Sequence, residues 1–146
     1  MITVPTGDGG LILEKDGKPE EVHPALFQPF VGYLWSRGDF FLHGFESLMV
    51  PTDSRDATIL FSDIGLGYWL LRRGADQLLT GIIPTVELHL TTPLTRRDHF
   101  RDAVNFTGGA HFVLKERYVL GVALSTPVAG AHLYDIEVIA NFNWRF

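Results

Sequence analysis

The chain has 146 residues, 46% of them hydrophobic and 20% charged, which is one domain's worth of material and too apolar for a disordered segment. Twelve Lys plus Arg stand against seventeen Asp plus Glu, a formal net charge of −5 with no basic block, which argues against a protein that tracks nucleic-acid phosphates. With no Cys there is no disulfide, no thiolate metal cage and no cysteine nucleophile, and the redox compartment stays open.

In chain order, Met1-Ile2-Thr3-Val4-Pro5-Thr6-Gly7-Asp8 has neither the positive n-region nor the apolar h-region of a signal peptide. Val4-Pro5-Thr6 has the form of an exit from a strand present only by its last few residues, so residues 1–24 are expected to be a strand stub and a long rim loop. Leu26 to Trp35 and Phe40 to Val50 are apolar runs predicted as strands. In the second run Gly44 and Glu46 share a row, which puts Phe41, Phe45 and Met49 on the other. Next, Ile64, Leu66, Tyr68 and Leu70 alternate with Asp63, Gly65, Gly67 and Trp69. Ile82, Val86, Leu88 and Leu90 alternate with Gly81, Thr85, Glu87 and His89, and Phe106, Ala110, Phe112 and Leu114 with Asn105, Thr107, Gly109 and His111. Tyr118, Leu120, Val122 and Leu124 are separated by Val119, Gly121, Ala123 and Ser125. The last segment alternates Ile136, Val138, Ala140, Phe142, Trp144 and Phe146 with Asp135, Glu137, Asn141, Asn143 and Arg145, broken only by Ile139.

A period of two means seven strands, each with a greasy and a wetter face. The longest uncharged stretch, Tyr118 to Tyr134, is interrupted by Ser125-Thr126-Pro127 and Ala129-Gly130, so no helix is predicted to span a bilayer. Strand length points elsewhere: soluble strands run about five or six residues, whereas a tilted strand crossing a bilayer needs about nine to eleven. Connections at Ser36 to Asp39, Arg72 to Gln77 and Lys115 to Arg117 are short, and those near Pro51 to Asp56, Thr91 to Asp102 and Pro127 to Leu133 are longer, which predicts an up-and-down antiparallel meander. Val50-Pro51, Thr92-Pro93 and Thr126-Pro127 are expected to mark strands leaving the sheet at the long-loop rim. Trp35, Phe40, Phe41, Tyr68, Trp69, Tyr118, Trp144 and Phe146 gather at the opposite rim, the placement a membrane interface favours.

A final strand ending in Phe146, with Trp144 two residues before it and apolar residues at Phe142, Ala140 and Val138, resembles the C-terminal assembly signal of Gram-negative outer-membrane β-barrels. Within that group, Val4-Pro5-Thr6-Gly7-Asp8, Val50-Pro51-Thr52-Asp53 and Asp63-Ile64-Gly65-Leu66-Gly67-Tyr68-Trp69-Leu70 are similar to the family associated with the meta-pathway of phenol degradation. Asn141 departs from the Gly that many assembly signals carry. The resemblance implies an all-β, antiparallel up-and-down transmembrane β-barrel in the bacterial outer membrane, inserted by the assembly machinery through the strand ending in Phe146. Its members look like barrels of roughly a dozen strands behind a signal peptide. Residues 1–146 are therefore expected to be the C-terminal part of such a barrel, its signal peptide missing upstream. The alternative is a complete eight-stranded barrel whose first strand is the Thr3 region or Leu11 to Leu13.

In a closed barrel the wetter row lines the lumen, and the candidates are Glu46, Asp63, Glu87, His89, Asn105, Thr107, His111, Glu137, Asn141, Asn143 and Arg145. Trp35, Tyr68, Tyr118, Trp144 and Phe146 are the candidate interface aromatics. The expected function is an outer-membrane channel or uptake protein for small, aromatic or hydrophobic, solutes. Two alternatives remain: a structural barrel with a filled lumen, and a soluble β-barrel holding an apolar ligand inside, since alternation alone does not say which row faces in. Glu87-x-His89 shares a face, but a metal site with His111 needs a register that the long Thr91 to Asp102 loop is not expected to give, so no metal or other cofactor is predicted. No catalytic residue is assigned and no enzyme is expected: Ser47 lies four residues from His43, about 13 Å along a strand, and there is no Gly-x-Ser-x-Gly elbow or phosphate loop.

Overall fold

The computed structural model describes residues 2–3, 11–15, 18–22, 25–53, 56–95, 97, 101–130 and 134–145, and every regular element among them is a strand. In chain order these are β1 (Ile2–Thr3), β2 (Leu11–Lys15), β3 (Lys18–Val22), β4 (Leu26–Phe27), β5 (Phe30–Arg37), β6 (Phe40–Pro51), β7 (Ile59–Tyr68), β8 (Leu71–Arg72), β9 (Leu79–Pro93), β10 (Ala103–Leu114), β11 (Tyr118–Ala129) and β12 (Glu137–Trp144). The fold is all-β, built on one large antiparallel up-and-down sheet. β4 and β5 both pair with β6, as two pieces of one strand interrupted at Gln28 and Pro29, and β8 continues β7 along β9. The long path is then β4/β5, β6, β7/β8, β9, β10, β11, β12, which matches the seven predicted strands in number and order. β1 pairs with β4, while Leu11 to Leu13 belongs to β2, whose hairpin with β3 forms a separate two-stranded sheet. Leu11 to Leu13 is therefore not a strand of the main sheet. Among the described residues the main sheet does not close on itself: its path runs from β1, beside β4, to β12.

Local chemistry explains the breaks and turns. Leu70 N–H donates to Ile82 O at 2.9 Å, so the even residues of β9 turn their backbone groups toward β7 and β8. Pro84, opposite Tyr68, has no N–H to offer on that side, and just beyond it the ladder lapses at Trp69 and Leu70 before resuming one residue out of register with Leu71 opposite Ile82. β6 and β9 end at Pro51 and Pro93, as their sequence predicts, but β11 runs two residues past Pro127. There the partner strand shifts register between Val104 and Asn105, so that Asn105 faces Pro127 and Val104 faces Ala129. The β10–β11 hairpin turns through Lys115 and Glu116, both at positive φ (52° and 58°), the conformation whose twist matches the flanking strands.

The sheet's burial inverts that of a water-soluble domain. Among the described residues the buried hydrophobic side chains are Ala57, Ile83 and Val113, while Ser47, Thr80, Thr85, Thr107 and Ser125 are buried polar ones. On the apolar face Leu124 is 55% exposed, Phe142 65% and Val138 70%. Thr107 and Ser125, in register with each other on the opposite face, are 6% and 4% exposed. Glycines on that opposite face let neighbouring rings lie flat against the backbone. A Cβ at Gly65 would sit 2.4 Å from the His43 ring.

Candidate functional site

Antiparallel register assigns each residue to a face, because directly paired residues point the same way. One row across the polar face runs His43, Gly65, Glu87, Thr107, Ser125, Glu137, and the next runs Phe45, Asp63, His89, Asn105, Pro127. Toward the short turns follow Phe41, Gly67, Thr85, Gly109, Ala123 and Ile139, then Ile83, His111, Gly121 and Asn141, then Gly81, Val113, Val119 and Asn143. Ile139, the one break in the C-terminal alternation, faces Ala123 here.

At mid-height three strands are tied by one imidazole. His89 Nδ1 lies 2.8 Å from Asp63 Oδ1 and His89 Nε2 lies 3.1 Å from Thr107 Oγ1. Glu87 lies between two histidines, with Oε2 3.6 Å from His89 Nε2 and Oε1 3.8 Å from His43 Nε2. A cavity of about 120 Å³ opens beside this cluster and is lined by Glu87, His89, Thr107, His111 and Asn141 among others. His111 Nδ1 is buried there without a hydrogen-bond partner. His111 pairs with Ile83, four residues along β9 from Glu87, which keeps it out of any shared ligand set with Glu87 and His89. No group of three or more His, Asp or Glu among the described residues is arranged to hold a metal ion.

The predicted lumen residues thus divide. Asp63, Glu87 and His89 come together with Thr107. Asn105 and Glu137 lie in the same two rows, and His111, Asn141 and Asn143 in the rows nearer the short turns. Arg145 lines an open pocket of about 450 Å³ at that rim with Trp69, Arg72 and Arg73, where the Arg72 guanidinium sits 4.6 Å from the Trp69 ring centroid. Glu46 does not join them. It pairs with Ser62, two residues from Ile64, and so lies on the apolar face, where Ser62 Oγ donates to its Oε2 at 2.5 Å. The inversion is shared by all of β6: Leu42, Gly44 and Leu48 point to the apolar side, and Phe41, His43 and Phe45 to the polar side. As a result the polar face turns aromatic toward β5, with the Phe30 and Phe45 rings 5.4 Å apart and Phe41 stacked on His43 at 5.8 Å.

Trp35, Tyr68, Tyr118 and Trp144 all fall on the apolar face next to the short turns, with Phe40 and Tyr68 4.6 Å apart and Tyr118 and Trp144 6.3 Å apart. Phe41 and Trp69, grouped with them by sequence, cover Gly67 and Gly81 on the other face. Phe146 lies outside the described residues. His43 and the His89–Thr107 contact escaped the sequence reading; a register drawn across all strands is the signal that finds them. Compared with known proteins, the chain matches no protein-family model, no curated protein and no solved structure.

Proposed function

We propose that this sheet is the wall of an outer-membrane β-barrel whose polar face lines a passage for small solutes. The observation that carries the reading is the inverted burial: long strands present a largely apolar surface outward, interrupted by the Glu46–Ser62 pair, while small polar side chains are the crowded ones. In water an exposed Leu or Phe forgoes about 1.5–3 kcal/mol of burial, and no second layer of the described residues covers this face; acyl chains would remove that cost. Strand length supports it too. Twelve residues of β10 or β11 extend about 40 Å, which at a tilt near 45° spans roughly 28 Å, enough for an apolar band of about 25 Å.

Strand direction sets what closure would require. In the alternating path β5 and β12 run the same way, so an antiparallel barrel requires an odd number of strands between them. β1, antiparallel to β4, stands in the first of those positions. The free edge of β12 is the surface the assembly machinery would engage. Within the lumen, the Phe30, Phe41 and Phe45 strip beside the Asp63, Glu87 and His89 strip offers one greasy and one hydrated track. That pairing favours small amphipathic solutes, aromatic ones included, and the carboxylates favour cations over anions.

The protein should migrate differently on gels before and after boiling, remain folded only in detergent or lipid, and give steps of current in a planar bilayer. Purification as a soluble monomer without detergent would favour the ligand-binding soluble barrel instead. Folding in lipid without current would favour a filled barrel.

A further inference from the structure

We propose that Asp63, His89 and Thr107 form an activated nucleophile on the polar face, with Thr107 Oγ1 accepting short acyl groups from activated esters. With His89 as the neutral imidazole, the hydrogen-bond directions follow by elimination. A carboxylate only accepts, so at 2.8 Å from Asp63 it is His89 Nδ1 that carries the ring proton. Nε2 is then the acceptor, and the Thr107 hydroxyl, 3.1 Å away, must be the donor. This is the resting arrangement of a nucleophile, its general base and the group that orients the base. Glu87 Oε2, 3.6 Å from Nε2, adds a negative charge beside the imidazolium that forms when Thr107 gives up its proton. The adjoining cavity of about 120 Å³ has room for an acyl group of a few heavy atoms. Lining the same cavity, the unpartnered Nδ1 of His111 is a polar atom that an oxygen of a bound molecule would satisfy.

The step balances without a cofactor. Thr107 Oγ1 attacks the ester carbonyl carbon as its proton passes to His89 Nε2. The tetrahedral intermediate collapses, the bond to the alcohol oxygen breaks, and the alcohol leaves with the proton from His89. Water then attacks the acyl-threonine, giving one proton to His89 and through it to Thr107, and the carboxylic acid departs. The proposal needs the polar face to meet water but does not need the barrel to conduct.

The test treats the folded protein in detergent with p-nitrophenyl acetate and locates acetyl groups by fragment mass. Ser125 is the internal control, since it faces Thr107 in register and its hydroxyl contacts the Tyr134 phenol at 3.3 Å instead of an imidazole. A general base accelerates such a transfer by roughly 10² to 10⁴. Thr107 should therefore acetylate at least about 100-fold faster than Ser125, His89→Gln and Asp63→Asn should remove most of that advantage, and Thr107→Ser should keep it. Equal labelling of Thr107 and Ser125 in the unmutated protein, or labelling that survives both His89→Gln and Asp63→Asn, overturns the assignment. Conductance with Thr107 unlabelled would refute the nucleophile and leave the passage standing; labelling without conductance would do the reverse.

Discussion

Arginine at Val122 should be far more damaging than arginine at Asn141, although the two positions are one residue apart in cross-strand register and both are exposed. Val122 pairs with Ala140, and Gly121 with Asn141, so the pairs lie at the same height on opposite faces. Tyr118 marks the short-turn rim, and Val122 is four residues further along β11, about 13 Å along the strand and about 9 Å in depth at a tilt near 45°. That is close to the middle of an apolar band of about 25 Å, where a lipid-facing Arg costs about 2–4 kcal/mol. At 1.4 kcal/mol per decade, Val122→Arg should lower the folding equilibrium constant by about 30-fold to 700-fold. Asn141→Arg, on the face assigned to water, should stay within about 0.5 kcal/mol. Urea unfolding of both variants in lipid vesicles, followed by Trp fluorescence and by gel migration without boiling, measures the difference. A neutral Val122→Arg, or an Asn141→Arg that costs as much, would refute the assignment of the apolar face to lipid.

Further consequences can be tested individually. Glu87→Lys, which places a positive charge between His43 and His89, should shift single-channel ion preference toward anions; unchanged reversal potentials would count against a lumen position. Lys115→Asn combined with Glu116→Gly relieves two left-handed residues in the β10–β11 turn and should raise stability by about 1–2 kcal/mol in urea titration, against no gain if the turn is differently formed. Gly65→Val should cost about 1–3 kcal/mol, because its Cβ would lie 2.4 Å from the His43 ring and 3.0 Å from Glu87 Cγ and both side chains must shift; a neutral result would contradict the packing over Gly65. Glu46→Gln should stabilise the protein in vesicles by removing a carboxylate from the apolar face, and should be neutral if that face meets water.

What the sequence revealed, and what it hid, follows from where the information resides. Strand number, order and the facing of β7, β9, β10, β11 and β12 are local properties, carried by alternation that a single period decides. β6 hid its facing because both of its rows are apolar: Leu42 and Leu48 balance Phe41 and Phe45, and Glu46 tipped the balance the wrong way. The carboxylate sits on the apolar face because Ser62, on the neighbouring strand, answers it. The lapse between β7 and β8 is likewise set by a residue elsewhere, Pro84 on β9. The Asp63–His89–Thr107 contact depends on register across three strands, and neither the connection from β7 to β9 nor the long loop between β9 and β10 fixes that register from residue spacing alone. Short turns such as Gly38-Asp39 and Lys115 to Arg117 constrain it far more, which is why the rim aromatics were legible and the mid-height cluster was not.

Nitroxide labels placed one at a time from Leu120 to Ser125 in protein reconstituted into lipid vesicles give the most direct measurement, since oxygen collects in acyl chains and a nickel chelate stays in water. Oxygen accessibility should peak at Leu120, Val122 and Leu124 and chelate accessibility at Gly121, Ala123 and Ser125. The opposite phase, or no period of two, would contradict the claim that the apolar face meets the membrane.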